Sequence, residues 1–419
     1  MQRYAFISRT IALSLGSYAQ ALLLRAYERL RPVAEVNGDV LIVQLGQIGD
    51  FVLTMHLIEA LKKKHGDSIR ISVLIDSINL SLARDCEGID GVYVYDSEKY
   101  SRSQKRTPFP GEALEKTPYS SALLLRGDGR TFRWLVANRV PVRSVARFPN
   151  PMRSSWISLI REPKAGPEKV KGPLKGLDKK RPHKGRDRRG KIYMHFVDAL
   201  MELGGIEIYE NEDLTRVAGA ASRAVPERGR GPDGRRVFIH IGSGGVLRRW
   251  PEERFADLSG RLLQLDLTLN IALIGAKSDY ERAHRIMEQM KYPYSRVVNG
   301  CGAFDLSGLK AAMKSGALYI GLDSGPMHIA ASTGIPVVAL MGPQSPDVFG
   351  PRGDGARIVY KAYPCSPCWQ FACVLNPGGG TGRCISDITA EEVFTEAKAL
   401  LKGGTTVEKD TAPLQCLLG

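Results

Sequence analysis

Apolar residues fall in two alternating arrangements along this chain. Short unbroken runs occupy Asp39–Gly46, Ile69–Asp76, Val92–Asp96, Ser121–Asp128 and Ser144–Phe148, and again Arg236–Gly242, Thr268–Gly275, Leu318–Asp323 and Val337–Gly342. Between most of them the apolar positions recur every three or four residues, at Asp50–His65, Asn79–Asp85, Thr131–Asn138, Pro251–Leu265, Tyr280–Met290, from the capping residue Asp305 through Lys314, and Met327–Thr333. Runs apolar on both faces are strands of a parallel sheet covered by helices. The pattern therefore predicts an α/β protein of two successive doubly wound, Rossmann-like domains. Ser97–Pro118 reads as irregular and polar. Ile192–Leu203, ending in Gly204 and Gly205, reads as a helix leading to the second unit. The boundaries are an N-terminal amphipathic helical segment at 1–38, a first domain at 39–215 with a basic insertion at 161–191, a second domain at 235–402 and a flexible tail at 403–419. No repeat of short period is evident.

Three strand-to-helix turns carry polar residues. At the first, Gly49 and Asp50 follow a strand. At the second, Gly242 to Arg248 do. At the third, Asp323, Ser324 and Gly325 lie between Leu318–Asp323 and a helix that Pro326 opens, with Gly334 as its C-cap and Pro336 blocking continuation. A carboxylate, a hydroxyl and free backbone N–H groups at a positive helix end suit a phosphate with a sugar beside it. An ordinary capped turn has the same local pattern. Ligands of open α/β sheets bind beyond the carboxyl ends of the strands, so all three turns are expected at one cleft. Periplasmic binding proteins share this architecture.

Charge narrows the partner. Across 419 residues the net charge is +15, which favours an anionic partner. Between Arg161 and Lys191 thirteen Lys or Arg face Glu162, Glu168, Asp178 and Asp187, among several Gly and Pro, as in an exposed linker or a patch for acidic lipid headgroups. No aromatic residues interleave there, which argues against single-stranded nucleic acid. No apolar run reaches the roughly 18 to 20 residues that span a bilayer. Ile11–Leu30 comes nearest, with Leu and Ile at helical spacing among arginines, and lacks the small-residue cleavage site of a signal peptide.

Seven cysteines are present, and Cys365, Cys368, Cys373 and Cys384 crowd one Pro- and Gly-rich segment as C-x2-C, x4, x10. That spacing suits metal or redox chemistry in a reduced compartment better than a disulfide frame, yet it is not a zinc-finger spacing. The expectation is a structural loop that holds no metal.

Three blocks in order resemble bacterial heptosyltransferases, the ADP-heptose-dependent enzymes of lipopolysaccharide synthesis (glycosyltransferase family 9). They are VLIVQLGQIGDFVLTMHLIEALKKKHG at Val40–Gly66, HIGSGGVLRRWPEERFADLSGRL at His240–Leu262, and GLDSGPMHIAASTGIPVVALMGPQSPDVFGP at Gly321–Pro351. With the segments between them the resemblance covers Asp39 to Leu401. It implies the GT-B fold, two Rossmann-like domains facing a central cleft, and an inverting, metal-independent transfer of heptose from ADP-heptose to a lipid-linked acceptor of the lipopolysaccharide core. It places the enzyme in the cytoplasm, peripheral on the inner membrane.

The resemblance makes Asp50 the general base, with Gly49 on the acceptor side. Arg248 matches a basic residue near the diphosphate, as Arg where some members have Lys. Asp323 matches a residue touching sugar hydroxyls, and Ser324 and Gly325 match the phosphate turn. Ser243 is a further phosphate candidate by its place in the loop. Arg249 reads as a surface charge and His328 as a packing histidine. No cofactor is implied. Many members have Arg in the first strand motif where this chain has Gln44. A nucleotide-sugar epimerase of similar architecture and a non-catalytic sugar-nucleotide or glycan binder are the competing functions.

Overall fold

The computed structural model describes residues 35–98, 106–144 and 235–402, apart from 291–294, 354 and parts of 364–379, together with isolated positions among 26–33 and at 101, 184–186, 192–194 and 200. Of the expected N-terminal helix only Ala26, Tyr27 and Leu30 are described, and they are helical; its remainder, most of the basic insertion and the tail lie outside the described residues.

The first domain is a five-stranded sheet ordered β3-β2-β1-β4-β5, with every pair parallel. Its elements are β1 (Gly38–Gln44), α1 (Ile48–His65), β2 (Ile69–Ile75), α2 (Leu80–Arg84), β3 (Gly91–Val94), α3 (Gly111–Leu114), β4 (Ser121–Arg126), α4 (Gly129–Ala137) and β5 (Val142–Ser144). Val40 to Val43 are fully buried, as expected of a central strand. α3 corrects the expectation of an irregular stretch at Ser97–Pro118. Leu114 is fully buried in a cluster with Tyr95, Tyr119 and Leu135, and that burial stabilises a turn too short for periodicity to reveal.

A small antiparallel pair, β6 (Lys184–Arg186) and β7 (Ile192–Met194), follows. It corrects the start of the helix expected at Ile192–Leu203: Ile192–Met194 is strand, while Leu200 is helical and the rest of that stretch lies outside the described residues. Ile-Tyr-Met combines β-branched and aromatic residues that favour a strand once a partner strand is beside it.

The second domain is a six-stranded parallel sheet ordered β10-β9-β8-β11-β12-β13. Its elements are β8 (Arg235–His240), α5 (Glu252–Leu265), β9 (Leu269–Ile274), α6 (Tyr280–Glu288), β10 (Val297–Asn299), α7 (Leu306–Lys314), β11 (Leu318–Leu322), α8 (Gly325–Thr333), β12 (Val337–Met341), α9 (Pro346–Phe349), β13 (Ala356–Tyr360), α10 (Arg383–Ser386) and α11 (Ala390–Leu401). Asp305 caps α7 as expected, its Oδ1 accepting from the Gly308 N–H at 2.7 Å. Gly334 ends α8 at φ 74°, a conformation that favours glycine. The hydrophobic pattern misses β13 because only Val359 in it is buried.

The domains meet where α1 packs against α8. One apolar cluster runs through that contact, from Leu57, Ile58 and Leu61 to Met327, Ile329 and Ala330. A second contact joins α2 to α7, where the Ser307 hydroxyl donates to the Asp85 carboxylate.

Candidate active site

Asp50 stands in the first turn of α1, directly beyond β1. Its Oδ2 accepts from the Gln47 backbone N–H at 3.0 Å and from Arg126 Nη1 at 2.8 Å. Beneath it, buried Gln44 donates from Nε2 to Thr54 Oγ1 at 3.1 Å. A methyl group on Gly46 would lie 2.6 Å from Asp50 Oδ2 and 2.7 Å from Gln44 Oε1, so only glycine fits this turn.

The facing side is built on the loop after β8. Trp250 is fully buried, stacks edge-on against Phe255 at 4.7 Å and donates from Nε1 to the Ile388 carbonyl at 2.9 Å. Arg282, on the apolar side of α6, clamps both ends of the loop. It donates from Nη1 to the Ile241 carbonyl at 2.7 Å and from Nη2 to the Trp250 carbonyl at 2.6 Å. Arg248 is thereby held beside Asp323, with Nη1 3.4 Å from both Oδ2 and the backbone carbonyl. Arg249 is exposed, as read from the sequence. Ser243 exchanges hydrogen bonds with Gly245 of its own loop, at 3.2 and 3.3 Å.

At the third turn, Ser324 is the N-cap residue of α8, but its side chain does not cap the helix. The hydroxyl donates instead to the Leu322 carbonyl at 3.1 Å and lies 3.1 Å from His240 Nδ1. The positive helix end is thus left for an anion. Pro326 is the second helical residue, one later than expected, because Gly325 is the first. Burial depresses His240 to about 4, with Arg282 adding to the effect, so its ring is neutral at physiological pH.

The two sides converge. A methyl group on Gly49 would lie 3.1 Å from His328 Cδ2, and one on Gly325 would lie 3.2 Å from the Gly49 nitrogen. Burial raises the Asp323 carboxyl above the usual range, the Arg248 guanidinium opposes this, and the charge of Asp50 adds to it, so the carboxylates feel each other across the gap. His328 is buried and depressed to about 4 by burial and by His56 on α1, in keeping with its packing role. Of the sequence candidates, Gly49, Asp50, Arg248, Asp323, Ser324 and Gly325 come together. Ser243 stands in the same loop as Arg248. Arg126, His240 and Arg282 were not read from the sequence. The one available signal was an arginine on the buried side of α6, beside Ala283 and Ile286.

Cys365, Cys368, Cys373 and Cys384 line one small cavity with Leu247 and Tyr363. All four are free thiols, and burial pushes Cys384 up to about 12. Among the described residues, no group of three or more His, Cys, Asp or Glu is placed to hold a metal ion.

The family model for glycosyltransferase family 9 (heptosyltransferase) matches residues 147–377, more than half of the chain. The chain belongs to glycosyltransferase family 9. This family 9 chain is 30% identical over 160 residues to lipooligosaccharide heptosyltransferase 2 of Campylobacter jejuni, covering 38% of the chain and 48% of that protein. It is 30% identical over 161 residues to lipopolysaccharide heptosyltransferase 2 of Escherichia coli, covering 38% and 44%. The chain thus spans about half the length of the curated relatives it matches. In fold it is similar to E. coli ADP-heptose LPS heptosyltransferase II, with a TM-score of 0.57 and 18% identity over 87% of this chain and 99% of the other. It is also similar to the family 9 glycosyltransferase of Veillonella parvula, with a TM-score of 0.60 and 23% identity over 87% and 98%. These likenesses show the GT-B arrangement of two Rossmann-like domains.

Proposed function

We propose that the protein is an inverting glycosyltransferase that moves heptose from ADP-heptose to a lipopolysaccharide-core or similar lipid-linked acceptor. The observation that carries this reading is the approach of Asp50 on one domain to Asp323, Arg248 and the open end of α8 on the other. Family membership names the chemistry that such a pairing suits. Asp50 takes the proton of the acceptor hydroxyl as that oxygen bonds to the anomeric carbon. The bond from that carbon to the diphosphate breaks, and the diphosphate leaves with the electron pair. Arg248 and the α8 N-terminus, with Ser324 and Gly325, meet the growing negative charge, and Asp323 orients the sugar hydroxyls. Attack from the face opposite the leaving group inverts the centre.

Orientation of the acceptor hydroxyl and the donor in the cleft supplies much of the rate. A peripheral position on the cytoplasmic membrane face suits the net charge of +15. No helix among the described residues is long and apolar enough to cross a membrane.

The test is Asp50→Asn, assayed by ADP release from ADP-heptose with heptose-deficient lipopolysaccharide as acceptor. Turnover should fall roughly 10²-fold or more while donor affinity holds, the usual scale for losing a general base. Near wild-type turnover with both substrates saturating would leave Asp50 as a helix-capping residue only.

A further inference from the structure

We propose that Arg126 is a positioning residue for the transfer reaction, holding the Asp50 carboxylate by Oδ2 so that Oδ1 takes the acceptor proton. The inference rests on Asp50 acting as the base.

Its origin is a break in strand register. β1 and β4 pair in step from Val40 with Ser121 through Val43 with Leu124, and the next pair is Gln44 with Arg126. Leu125 is therefore the extra residue of a bulge, and pairing resumes with the Leu45 N–H donating to the Arg126 carbonyl at 2.8 Å. A bulge bends its strand and changes where the following side chains point. With regular pairing Leu125 would stand opposite Gln44, and Arg126 would lie one step further along.

The bulge brings the guanidinium to the mouth of the β1–α1 turn. There Arg126 Nη1 lies 2.8 Å from Asp50 Oδ2, the Arg126 side chain being 36% exposed and that of Asp50 16%. The same Oδ2 accepts the Gln47 N–H at 3.0 Å. Two donors of different origin, one a backbone group and one a side chain, thus hold one oxygen and fix the carboxylate plane. Among the described residues no donor reaches Oδ1. A base needs a lone pair facing the incoming hydroxyl, and Oδ1 supplies it. Gly46 admits the carboxylate on this side because it has no Cβ. Arg126 touches neither substrate in this scheme and acts only by orientation.

The experiment compares Arg126→Ala, Arg126→Lys, Asp50→Asn and the Arg126→Ala/Asp50→Asn double variant in the ADP-release assay, with ADP-heptose and heptose-deficient lipopolysaccharide saturating. Arg126→Ala should lower kcat by roughly 10²-fold, the scale of a misoriented catalytic group, and leave the donor KM unchanged. Added guanidinium ion should restore part of the rate saturably, and Arg126→Lys should retain part of it. In the double variant the loss should equal that of Asp50→Asn alone, because Arg126 acts through Asp50. If Arg126→Ala fails to fold, Arg126→Met takes its place and keeps the aliphatic stem. The proposal is overturned by wild-type kcat in Arg126→Ala, or by losses that multiply in the double variant. A fast Asp50→Asn variant instead removes the base assignment, and this inference with it.

Discussion

A Cβ on Gly325 would lie 2.6 Å from the Cβ of Ile48, so α8 and α1 meet with no room for a side chain between them. Both residues belong to helix starts, and backbone rather than a flexible side chain lies close behind, with the Gly49 nitrogen at 3.2 Å. Gly325→Ala should therefore wedge the domains apart. The cost should be about 1 to 3 kcal/mol, as for other overpacked contacts, read as a lower urea midpoint. Donor affinity should fall with it, since the same residue opens the helix proposed to hold the diphosphate. A variant with unchanged midpoint and ADP-heptose affinity would show that the contact relaxes without consequence.

Arg248 and Asp323 should separate in a binding experiment. Calorimetry with ADP should show Arg248→Ala weakened by about 1.5 to 3 kcal/mol, as for a lost charge-assisted hydrogen bond. Asp323→Ala should weaken ADP-heptose more than ADP, because its carboxylate is assigned to the sugar. Equal losses on the two ligands would contradict that assignment.

Arg282 should matter to stability and to the donor site together. Arg282→Met keeps most of the packing volume but strips the Ile241 and Trp250 carbonyls of their donor, while Glu252 keeps its ion pair with Arg285 at 2.8 Å. The loss should be about 1 to 3 kcal/mol for each buried carbonyl left without its donor. Donor KM should rise, because the loop carrying Arg248 loses its clamp. A destabilised variant with normal donor KM would confine Arg282 to the core.

Acid should weaken the fold at the histidines. Burial lowers His56, His240 and His328 from 6.5 to about 4. Between these values the unfolded chain binds protons that the folded one refuses, so stability falls as pH falls through that window. Each histidine contributes a slope of up to about 1.4 kcal/mol per pH unit. His56 and His328 face each other across the α1–α8 contact, with Lys310 and Arg352 also acting on His56. Urea midpoints measured from about pH 7 down to pH 5 should therefore drop, and His328→Asn should flatten the profile. A flat wild-type profile would contradict this account.

The strand and helix alternation was legible because central strands such as Val40–Val43 are buried on both faces and leave unbroken apolar runs. The turn residues were legible because each follows such a run directly. Arg126, Arg282 and His240 were hidden because their partners are distant in sequence, separated by 76, 41 and 84 positions. Arg126 is harder still, since only the extra residue Leu125 gives it its place, and a register break leaves no mark in hydrophobic periodicity. Ile192–Met194 misled because so short a segment takes its conformation from its pairing strand.

The apolar cluster shared by both sheets has a consequence for how the molecule comes apart. Met327 and Ile329 of one half lie in the same dry interior as Leu57 and Ile58 of the other. Neither half can be excised without exposing that interior to water, so separately expressed halves should precipitate or cling to each other. Heating the intact chain should give a single calorimetric peak, with the calorimetric and van't Hoff enthalpies in agreement, in place of one melting event per Rossmann unit.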